Sequence, residues 1–428
     1  MIVFKFGGAS VKDADAVRNV CNIIRQHEGT PLVIVVSAMG KTTNALERVV
    51  QSRMSDCGLD GALTELQVVK DYHQGILSAL FHDTSHPVYH RINNIFVELE
   101  WAMEDEPSKG YDFLYDQVVS AGELISSAII HEFLLSQGLT VGYADARDLI
   151  RTDSCYREGS VEWNTTASMS NAKIKSVFAA GASSIITQGF IGGTDENYTT
   201  TLGREGSDYT AAILAHCLDA VAVYIWKDVP GVLNADPKHF PEAQKLETMS
   251  YTDAIELAYF GASVIHPKTI KPLENKSIPL HVKSFLNPSL TGTVIGKDYK
   301  TKPLIPSYIV KDHQILISIS AKDFSFIAED SLSGIFSLFA HANVKINLMQ
   351  NSAISFSVCV DNDDRKVPKV IAALRDTFRI LYNDNVQLYT VRHYYPSTIE
   401  SLVHGKEVLL EQRSRHTAQI VTRNVGSI

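Results

Sequence analysis

Short apolar strands alternate with helical patterns along the first part of this 428-residue chain, up to about Ile295. The runs Ile2–Phe6 and Pro31–Val36 are rich in Val, Ile and Phe. Each run leads through a polar loop into residues whose apolar positions repeat at helical spacing. This alternation predicts an α/β sandwich around a mostly parallel sheet.

The segment Thr199–Ala211, TTTLGREGSDYTA, joins hydroxyl groups, small residues, a cation and a carboxylate at the start of an expected helix. Its two glycines allow backbone N–H groups to approach an anion, and Arg204 adds a positive charge. Ser207 and Asp208 are expected to cap the helix. Taken alone, the segment is more typical of an ordinary glycine-rich turn. Only its combination with other motifs indicates a phosphate site.

Lys5 stands near the end of the first strand, which runs into Gly7, Gly8 and Ser10. A lysine beside two glycines at a strand end can reach a phosphoryl group. By itself, Lys5 is equally consistent with a surface lysine, since lysine is seldom buried without a partner. Ser10 is expected to cap the helix that follows.

Two further loops carry polar residues. The tripeptide Gly40-Lys41-Thr42 imitates the end of a P-loop, but that motif requires glycine where this chain has Val35. The P-loop interpretation is therefore rejected. The segment Ser120–Glu123 puts a carboxylate into the first turn of a helix, where it can hold an ammonium group or merely satisfy the helix dipole.

Together these motifs resemble those of the aspartate kinases, and the match spans nearly the whole chain. In chain order they are KFGGAS (Lys5–Ser10), VVSAMGKTTN (Val35–Asn44), SAGE (Ser120–Glu123), DAR (Asp145–Arg147), TQGFIG (Thr187–Gly192), TTTLGREGSD (Thr199–Asp208), WKDVPGVLNADP (Trp226–Pro237) and FGASVIHPKT (Phe260–Thr269). Related amino acid kinases share the scaffold but not this set. The resemblance implies an α/β amino acid kinase fold, a three-layer sandwich with a mostly parallel sheet, followed by ferredoxin-like ACT domains.

The resemblance implies transfer of the γ-phosphoryl group of ATP to the side-chain carboxylate of L-aspartate. The product is 4-phospho-L-aspartate, which feeds the synthesis of lysine, threonine and methionine. Lys5 and Asp208 are implied as the catalytic pair, with Lys5 offsetting charge on the transferred group and Asp208 positioning donor and acceptor. This division suits phosphoryl transfer to a carboxylate, which depends on alignment and charge and needs no base.

The same resemblance assigns binding residues. Arg204 is expected to hold the α-carboxylate of aspartate with two hydrogen bonds, and Glu123 to accept from its ammonium group. The implied substrate residues are Ser37, Thr43, Glu123, Phe190, Arg204 and Ser207. The implied nucleotide residues are Lys5, Gly7, Gly8, Ser10, Lys227, Asp228, Leu233, Asp236 and Ser263. ATP is expected to bind together with Mg²⁺. Because Mg²⁺ is usually coordinated by phosphate oxygens and water, no metal site made of protein ligands alone is expected.

This chain departs from the family pattern at two positions. Relatives commonly have lysine in place of Ser263, so nucleotide binding here is expected to be weaker or to use Lys268 or Lys271. Relatives commonly read GRGGSD where this chain has Glu205. A negative charge there is unfavourable beside a phosphate unless it faces solvent or a metal ion.

Composition fits a soluble acidic enzyme better than a nucleic-acid-binding protein, because the formal net charge is −9 and the pI is about 5.9. We expect a cytoplasmic protein, since the chain opens directly with a strand and no uncharged apolar run approaches membrane-spanning length. The cysteines are expected to be reduced core residues. They are Cys21, Cys57, Cys155, Cys217 and Cys359.

Several histidines, His73, His82, His86 and His90, lie in a largely helical stretch at spacings that resemble a metal site. Pro87 is expected to interrupt that helix, and no cysteine or paired carboxylate completes a ligand set. We therefore expect exposed histidines and no bound metal.

After a proline-containing link at Lys300–Pro306, the pattern changes to strand, helix, strand, strand, helix. This order resembles an ACT domain, the amino-acid-sensing module of the family. A second copy, which lacks its last helix, combines the strand Tyr308–Val310 with the tail from Val386. The expected domains are 1–295 for the kinase (1–195 for aspartate, 196–295 for the nucleotide), 313–385 for the first ACT domain, and 300–312 with 386–428 for a truncated second.

Lysine-sensing relatives have acidic side chains in the first ACT domain where this chain has Asn347 and Ala353. A charge-assisted hydrogen bond contributes roughly 1.5 to 3 kcal/mol, so their loss should weaken capture of a lysine ammonium group. Lysine, threonine, another amino acid or a purely dimer-forming role stay open, with Asn347, Gln350 and Ser352 as candidate effector residues. Side-by-side pairing of ACT sheets predicts a homodimer.

Two alternatives compete with aspartate phosphorylation. The first is a non-catalytic amino-acid sensor that keeps the kinase scaffold, and the intact Lys5, Arg204 and Asp208 argue against it. The second is a kinase of the same superfamily that acts on glutamate, acetylglutamate or a nucleotide. The regulatory tail and the motifs around Glu123 and Asp208 favour aspartate over these substrates.

Overall fold

The computed structural model describes residues 1–104, 109–262, 265–323 and 325–424. The chain forms two compact units. The first comprises Met1–Val232, Leu246–Ile255 and Val264–Thr301. The second comprises Leu233–Lys245, Glu256–Ser263 and Lys302–Ile428. The predicted nucleotide residue Ser263 lies outside the described residues.

In the described residues, the first unit has an eight-stranded sheet and a separate two-stranded hairpin. The strands are β1 (Ile2–Phe6), β2 (Leu32–Val36), β3 (Val141–Tyr143), β4 (Ser184–Gln188), β5 (Ile191–Gly193), β6 (Thr199–Thr201), β7 (Ala222–Lys227), β8 (Thr248–Ser250), β9 (Leu280–Ser284) and β10 (Thr293–Gly296). The sheet order is β3-β4-β2-β1-β7-β9-β10-β8, and only β9 and β10 pair antiparallel. Strands β5 and β6 form the antiparallel hairpin.

Helices cover this sheet. They are α1 (Ala14–Arg25), α2 (Thr42–Arg53), α3 (Gly58–Leu80), α4 (Pro87–Glu104), α5 (Tyr111–Val119), α6 (Ala121–Ser136), α7 (Trp163–Ala179), α8 (Gly206–Cys217), α9 (Tyr251–Phe260) and α10 (Pro267–Asn275). Strands β1, β2 and β4 are buried over their whole length, as parallel strands are when helices pack on both faces. The predicted α/β sandwich with a mostly parallel sheet is confirmed.

Ser10 does not cap the first helix, contrary to the sequence prediction. It lies in a one-turn 3-10 helix, Gly8–Val11, and its hydroxyl donates to the carbonyl of Trp226 at 3.2 Å. The cap of α1 is Asp13, whose carboxylate accepts from the N–H of Ala16 at 2.8 Å. This extra turn moves the start of α1 beyond Ser10.

The helical stretch Tyr111–Ser136 comprises α5 and α6 and contains four acidic residues, so it does not contradict the expectation that no uncharged apolar run approaches membrane-spanning length. By length and composition alone, it is apolar enough to cross a membrane. However, 78% of its most apolar window is buried inside the protein. A buried core helix passes the same test, because both environments select apolar side chains.

Two predictions about side-chain exposure are wrong. His73 is fully buried, and burial lowers its pKa to about 4, so it is a neutral core residue whose Nδ1 lies 2.7 Å from the carbonyl of Val69. The helical stretch is interrupted as expected, since α3 ends at Leu80 and α4 begins at Pro87. Cys57 and Cys155 are exposed free thiols, whereas the other three cysteines are buried as expected.

The second unit has a six-stranded antiparallel sheet in the described residues. Its elements are β11 (Ser307–Ala321), α11 (Glu329–His341), β12 (Ile346–Asn351), β13 (Ser355–Asp361), α12 (Val367–Thr377), β14 (Phe378–Arg392), α13 (Pro396–Val403), β15 (Lys406–Arg413) and β16 (Thr417–Asn424). The strand order is β12-β13-β11-β14-β16-β15. This succession of strands and helices agrees with the predicted elements.

Two long central strands, β11 and β14, serve both halves of this sheet. The C-terminal part of β11 pairs with β13 and with the start of β14, while the N-terminal part pairs with the end of β14. The register between them shifts between Lys311 and Gln314, where His313 has a φ of 52°. The irregularity divides each of the two shared strands into an N-terminal and a C-terminal part.

Candidate active site

A buried carboxylate between two lysines lies at the centre of the candidate site. The Nζ of Lys5, on β1, is 2.6 Å from Oδ1 of Asp208, on α8. The Nζ of Lys227, the last residue of β7, is 3.2 Å from Oδ2 of the same carboxylate. Strands β1 and β7 are neighbours in the sheet, so both lysines can reach one acidic residue.

Burial and charge act in opposite directions on Asp208, whose side chain is only 3% exposed. Burial alone would raise the pKa of this carboxyl, but the charges and hydrogen bonds of Lys5 and Lys227 hold the pKa below its ordinary value. Asp208 is therefore an anion that fixes two ammonium groups at the ends of adjacent strands. Two cations held together in this way can bind a polyanion.

The first turn of α8 differs from the prediction that Ser207 and Asp208 cap the helix. The helix starts at Gly206, and the residue before it, Glu205, has a φ of 52°. Ser207 and Asp208 thus lie inside the first turn. Gly206 is required by packing, since a Cβ there would meet the ring of Phe190 at 2.6 Å.

Glu205 stands at the helix start with a left-handed backbone, a conformation that glycine adopts more easily. Its Oε2 is buried and has no hydrogen-bond partner among the described residues. Burial raises the pKa of this carboxyl, while the nearby Lys227 lowers it. Arg204, the preceding residue, is exposed.

Glu123 is buried in the first turn of α6, as the sequence predicts. Its Oε1 accepts from the N–H of Ala38 at 3.1 Å, and its Oε2 has no partner among the described residues. Burial raises the pKa of Glu123 to about 8, and the charge of Lys5 opposes that rise. Buried polar atoms usually have a hydrogen-bond partner, so this oxygen makes Glu123 a candidate ligand-binding residue.

The loops after β1 and β2 approach each other closely at Gly8. A Cβ at Gly8 would lie 2.8 Å from the carbonyl oxygen of Gly40 and 2.9 Å from that of Ala38. The N–H of Gly40 donates to the carbonyl of Gly8 at 3.0 Å. A Cβ at Gly7 would lie 3.3 Å from Nζ of Lys5. Glycine is therefore needed at position 8, because a side chain there would collide with backbone carbonyl oxygens of the loop after β2.

The other predicted residues of the first unit are less enclosed. Ser37 and Thr43, which follow β2, are half-buried, as is Phe190 after β4. Asp228 is exposed immediately after Lys227, and Lys268 and Lys271 on α10 are exposed. Contacts within the first unit thus bring Lys5, Asp208 and Lys227 together directly.

The described residues of the second unit include two predicted nucleotide residues and the three candidate effector residues. Leu233 is half-buried and Asp236 is exposed, with its Oδ1 accepting from the N–H of Lys238 at 2.9 Å. In the six-stranded sheet, Asn347 donates to Oε1 of Gln314 at 2.8 Å and accepts from Nζ of Lys311 at 2.7 Å. The other candidate effector residues, Gln350 and Ser352, are exposed on and just after β12.

One buried residue near the candidate site is absent from the sequence prediction. Asp116, on α5, is fully buried and accepts from the backbone N–H groups of Arg157 and Thr201, both at 2.9 Å. A clue exists in the sequence, because an aspartate in the apolar helix YDFLYDQVV is costly to bury without partners. The partners themselves lie too far along the chain to be read locally.

Residues 1–284 of the 428 match the amino acid kinase family. The chain belongs to this family, and within it to the aspartokinases. This aspartokinase is 31% identical to the lysine-sensitive aspartokinase 3 of Escherichia coli, over 84% of its own length and 78% of that relative. It is 32% identical to the chloroplastic aspartokinase 1 of Arabidopsis thaliana, over 84% of its own length and 63% of that relative.

Solved structures support the same assignment. Aspartokinase III of E. coli in complex with aspartate and ADP, in the R state, superimposes with a TM-score of 0.83 at 25% identity. The match covers 99% of this aspartokinase and 96% of the E. coli chain. The complex of that enzyme with lysine and aspartate, in the T state, gives the same TM-score and identity.

Proposed function

We propose that this chain transfers the γ-phosphoryl group of ATP to the side-chain carboxylate of L-aspartate and releases 4-phospho-L-aspartate. The observation that carries the proposal is the Asp208 carboxylate held between Lys5 and Lys227 at the ends of adjacent strands. The E. coli relative has been solved with aspartate and ADP, which are the acceptor and the spent donor of this reaction.

In this proposal Lys5 and Lys227 stabilise the charge on the phosphates, and Asp208 keeps the two ammonium groups in place. Charge stabilisation and alignment are the main requirements of phosphoryl transfer. An aspartate carboxylate is already a nucleophile, so no residue has to remove a proton from it. Each oxygen of the Asp208 carboxylate is paired with a lysine ammonium group, which supports a positioning role rather than attack on phosphorus.

Recognition of aspartate is assigned to groups at both ends of the amino acid. Arg204 is the proposed partner of the α-carboxylate, and the unpaired Oε2 of Glu123 is the proposed partner of the ammonium group. Ser37, Thr43, Phe190 and Ser207 complete the proposed substrate site. Of these, Ser207 is buried in the first turn of α8 beside Asp208.

Nucleotide contacts are assigned to Gly7, Gly8 and Ser10 after β1 and to Lys227 and Asp228 after β7. The close approach of the loops at Gly8 supports phosphate binding, since backbone N–H groups next to glycine can point at an anion. The roles of Leu233, Asp236 and Ser263 rest on the family resemblance alone.

ATP is expected to enter with Mg²⁺. No group of three or more His, Cys, Asp or Glu side chains in the described parts of the chain is arranged to hold a metal. The buried, unpaired Oε2 of Glu205 fits one oxygen ligand, with phosphate oxygens and water as the others. When bound, the ion supplies positive charge to the β- and γ-phosphates.

Purified protein incubated with Mg-ATP, L-aspartate and hydroxylamine is expected to give aspartyl hydroxamate. Lys5→Ala should lower the rate by about 10²-fold or more, because it removes charge stabilisation at the transferred group. The matched control is Lys12→Ala, at an exposed lysine seven residues further on, which should keep the rate. Hydroxamate with glutamate but not aspartate would contradict the substrate assignment. If the protein binds ATP but forms no hydroxamate with either amino acid, the result would favour the alternative of a non-catalytic amino-acid sensor.

The pKa of Glu123 predicts how aspartate binding responds to pH. With its pKa raised to about 8, the carboxyl carries a proton at pH 7 and loses it as pH rises. Only the ionised form attracts the substrate ammonium, so the KM for aspartate should fall about tenfold from pH 7 to pH 9. Glu123→Gln should raise the KM and abolish this trend. A wild-type KM that is flat or rises over this range would exclude the assigned role.

Regulation is proposed to act through the second unit, because the E. coli relative has also been solved with lysine. We assign the effector site to β12, with Gln350 and Ser352 exposed and Asn347 held by Lys311 and Gln314. Lysine should inhibit hydroxamate formation, and Gln350→Ala should shift its half-inhibitory concentration. Inhibition by threonine alone, or by neither amino acid, would reject lysine as the effector.

A homodimer is proposed from the edges of the six-stranded sheet, where strands β12 and β15 have one unpaired side each. Sedimentation equilibrium measures this directly, and a monomer at assay concentration would contradict it.

A cytoplasmic location is proposed from the acidic composition and the free cysteines, and fractionation of the source cells tests it.

A further inference from the structure

The hairpin formed by β5 and β6 leads directly into the loop that carries Arg204. Only two residues separate the end of β6 at Thr201 from Arg204. A two-stranded hairpin is marginally stable by itself, and its outer edge exposes backbone groups that need partners. Whatever holds the outer edge of β6 therefore also holds Arg204.

Side chains of α5 take the place of a third strand along this edge. Strand β6 pairs with β5 through Thr200, so the backbone groups of Thr199 and Thr201 face outward. Gln117 binds both groups of Thr199, accepting from its N–H at 3.2 Å and donating to its carbonyl at 2.8 Å. The carboxamide thus reproduces the paired hydrogen bonds that a neighbouring strand would make.

Asp116 completes the edge at Thr201. Its Oδ2 accepts from the N–H of Thr201 at 2.9 Å, and its Oδ1 accepts from the hydroxyl of Thr201 at 2.7 Å. The remaining outward group, the carbonyl of Thr201, accepts from the N–H of Gly159 at 2.9 Å. Oδ2 of Asp116 also accepts from the N–H of Arg157 at 2.9 Å, so one carboxylate joins β6 to the loop at 157–159.

Asp116 is buried and accepts three hydrogen bonds, although no catalytic role is assigned to it. Burial raises the pKa of Asp116 to about 6, opposed by the hydrogen bonds from Arg157 and Thr201. At neutral pH the carboxyl is mainly ionised and acts only as an acceptor. Burying an anion costs solvation free energy. The three hydrogen bonds to Asp116 offset that cost only while β6 and the loop at 157–159 keep their positions.

We propose that Asp116 and Gln117 are positioning residues for aspartate recognition, acting by fixing β6 and hence Arg204. The inference rests on the proposed function of Arg204 as the partner of the substrate α-carboxylate. Neither residue touches the substrate. Their effect should therefore appear as a change in aspartate binding rather than in nucleotide binding.

Two variants test the proposal through kinetics. Asp116→Ala removes three hydrogen bonds, and Gln117→Leu removes both bonds to Thr199 without leaving a buried charge. Each should raise the KM for aspartate about tenfold or more, because misplacement of a binding group by about 1 Å is costly, while the KM for Mg-ATP stays within about twofold. If Asp116→Ala fails to fold, Gln117→Leu carries the test alone.

The chain supplies a rescue variant and a matched control. Asp116→Asn keeps a carbonyl oxygen for the two backbone N–H groups and a donor for the Thr201 hydroxyl, so it should stay within about threefold of the wild-type KM. Glu98→Ala, at an exposed residue of the neighbouring helix α4, is the control. It should leave both KM values unchanged.

Hydrogen exchange provides a readout that does not need turnover. The amide of Thr199 should exchange faster in Gln117→Leu, and that of Thr201 faster in Asp116→Ala, with strand β1 unchanged in both. Faster exchange with an unchanged aspartate KM would overturn the positioning role, as would an equal loss toward aspartate and Mg-ATP. If the wild type forms no aspartyl hydroxamate, the proposed function fails, while the exchange result still decides whether the two side chains hold β6.

Discussion

The ion pairs of Asp208 with Lys5 and Lys227 are the interaction on which the candidate site depends. A carboxylate that is 3% exposed is strongly disfavoured unless opposite charges compensate it. Here both compensating charges come from strand ends of one parallel sheet, β1 and β7, and the carboxylate comes from the first turn of a helix. The sheet order that puts β1 beside β7 therefore also brings two ammonium groups to one buried carboxylate.

Two kinds of support keep this charge cluster in place. Glycine at position 8 lets the loops after β1 and β2 touch through their backbones, so the turn beside Lys5 is fixed by sterics. On the opposite side, the loop before α8 is tied down by the β5–β6 hairpin and by side chains of α5. The second support consists of hydrogen bonds between side chains of α5 and the backbone of β6, which are directional. Alignment of reacting groups within tenths of an ångström requires support of this kind.

The sequence was sufficient to predict the architecture and to identify most of the charged residues of the candidate site. It was not sufficient to predict which residues they contact. Strand and helix periods predicted the α/β sandwich and the element order of the second unit, because those periods are local properties. The cap at Asp13, the burial of His73 and the bond from Lys227 to Asp208 were missed. Ser10 illustrates why, since its hydroxyl donates to a carbonyl 216 residues away, a pairing that no local pattern contains. Asp116 similarly meets Thr201 across 85 residues.

The most direct test of the central claim is a single-turnover measurement of phosphoryl transfer in Asp208→Asn, with Mg-ATP binding measured on the same protein. If Asp208 acts by fixing two lysines, nucleotide binding should change by less than about tenfold while the transfer rate falls by about 10²-fold or more. A transfer rate equal to wild type, or a loss confined to nucleotide binding, would contradict the account.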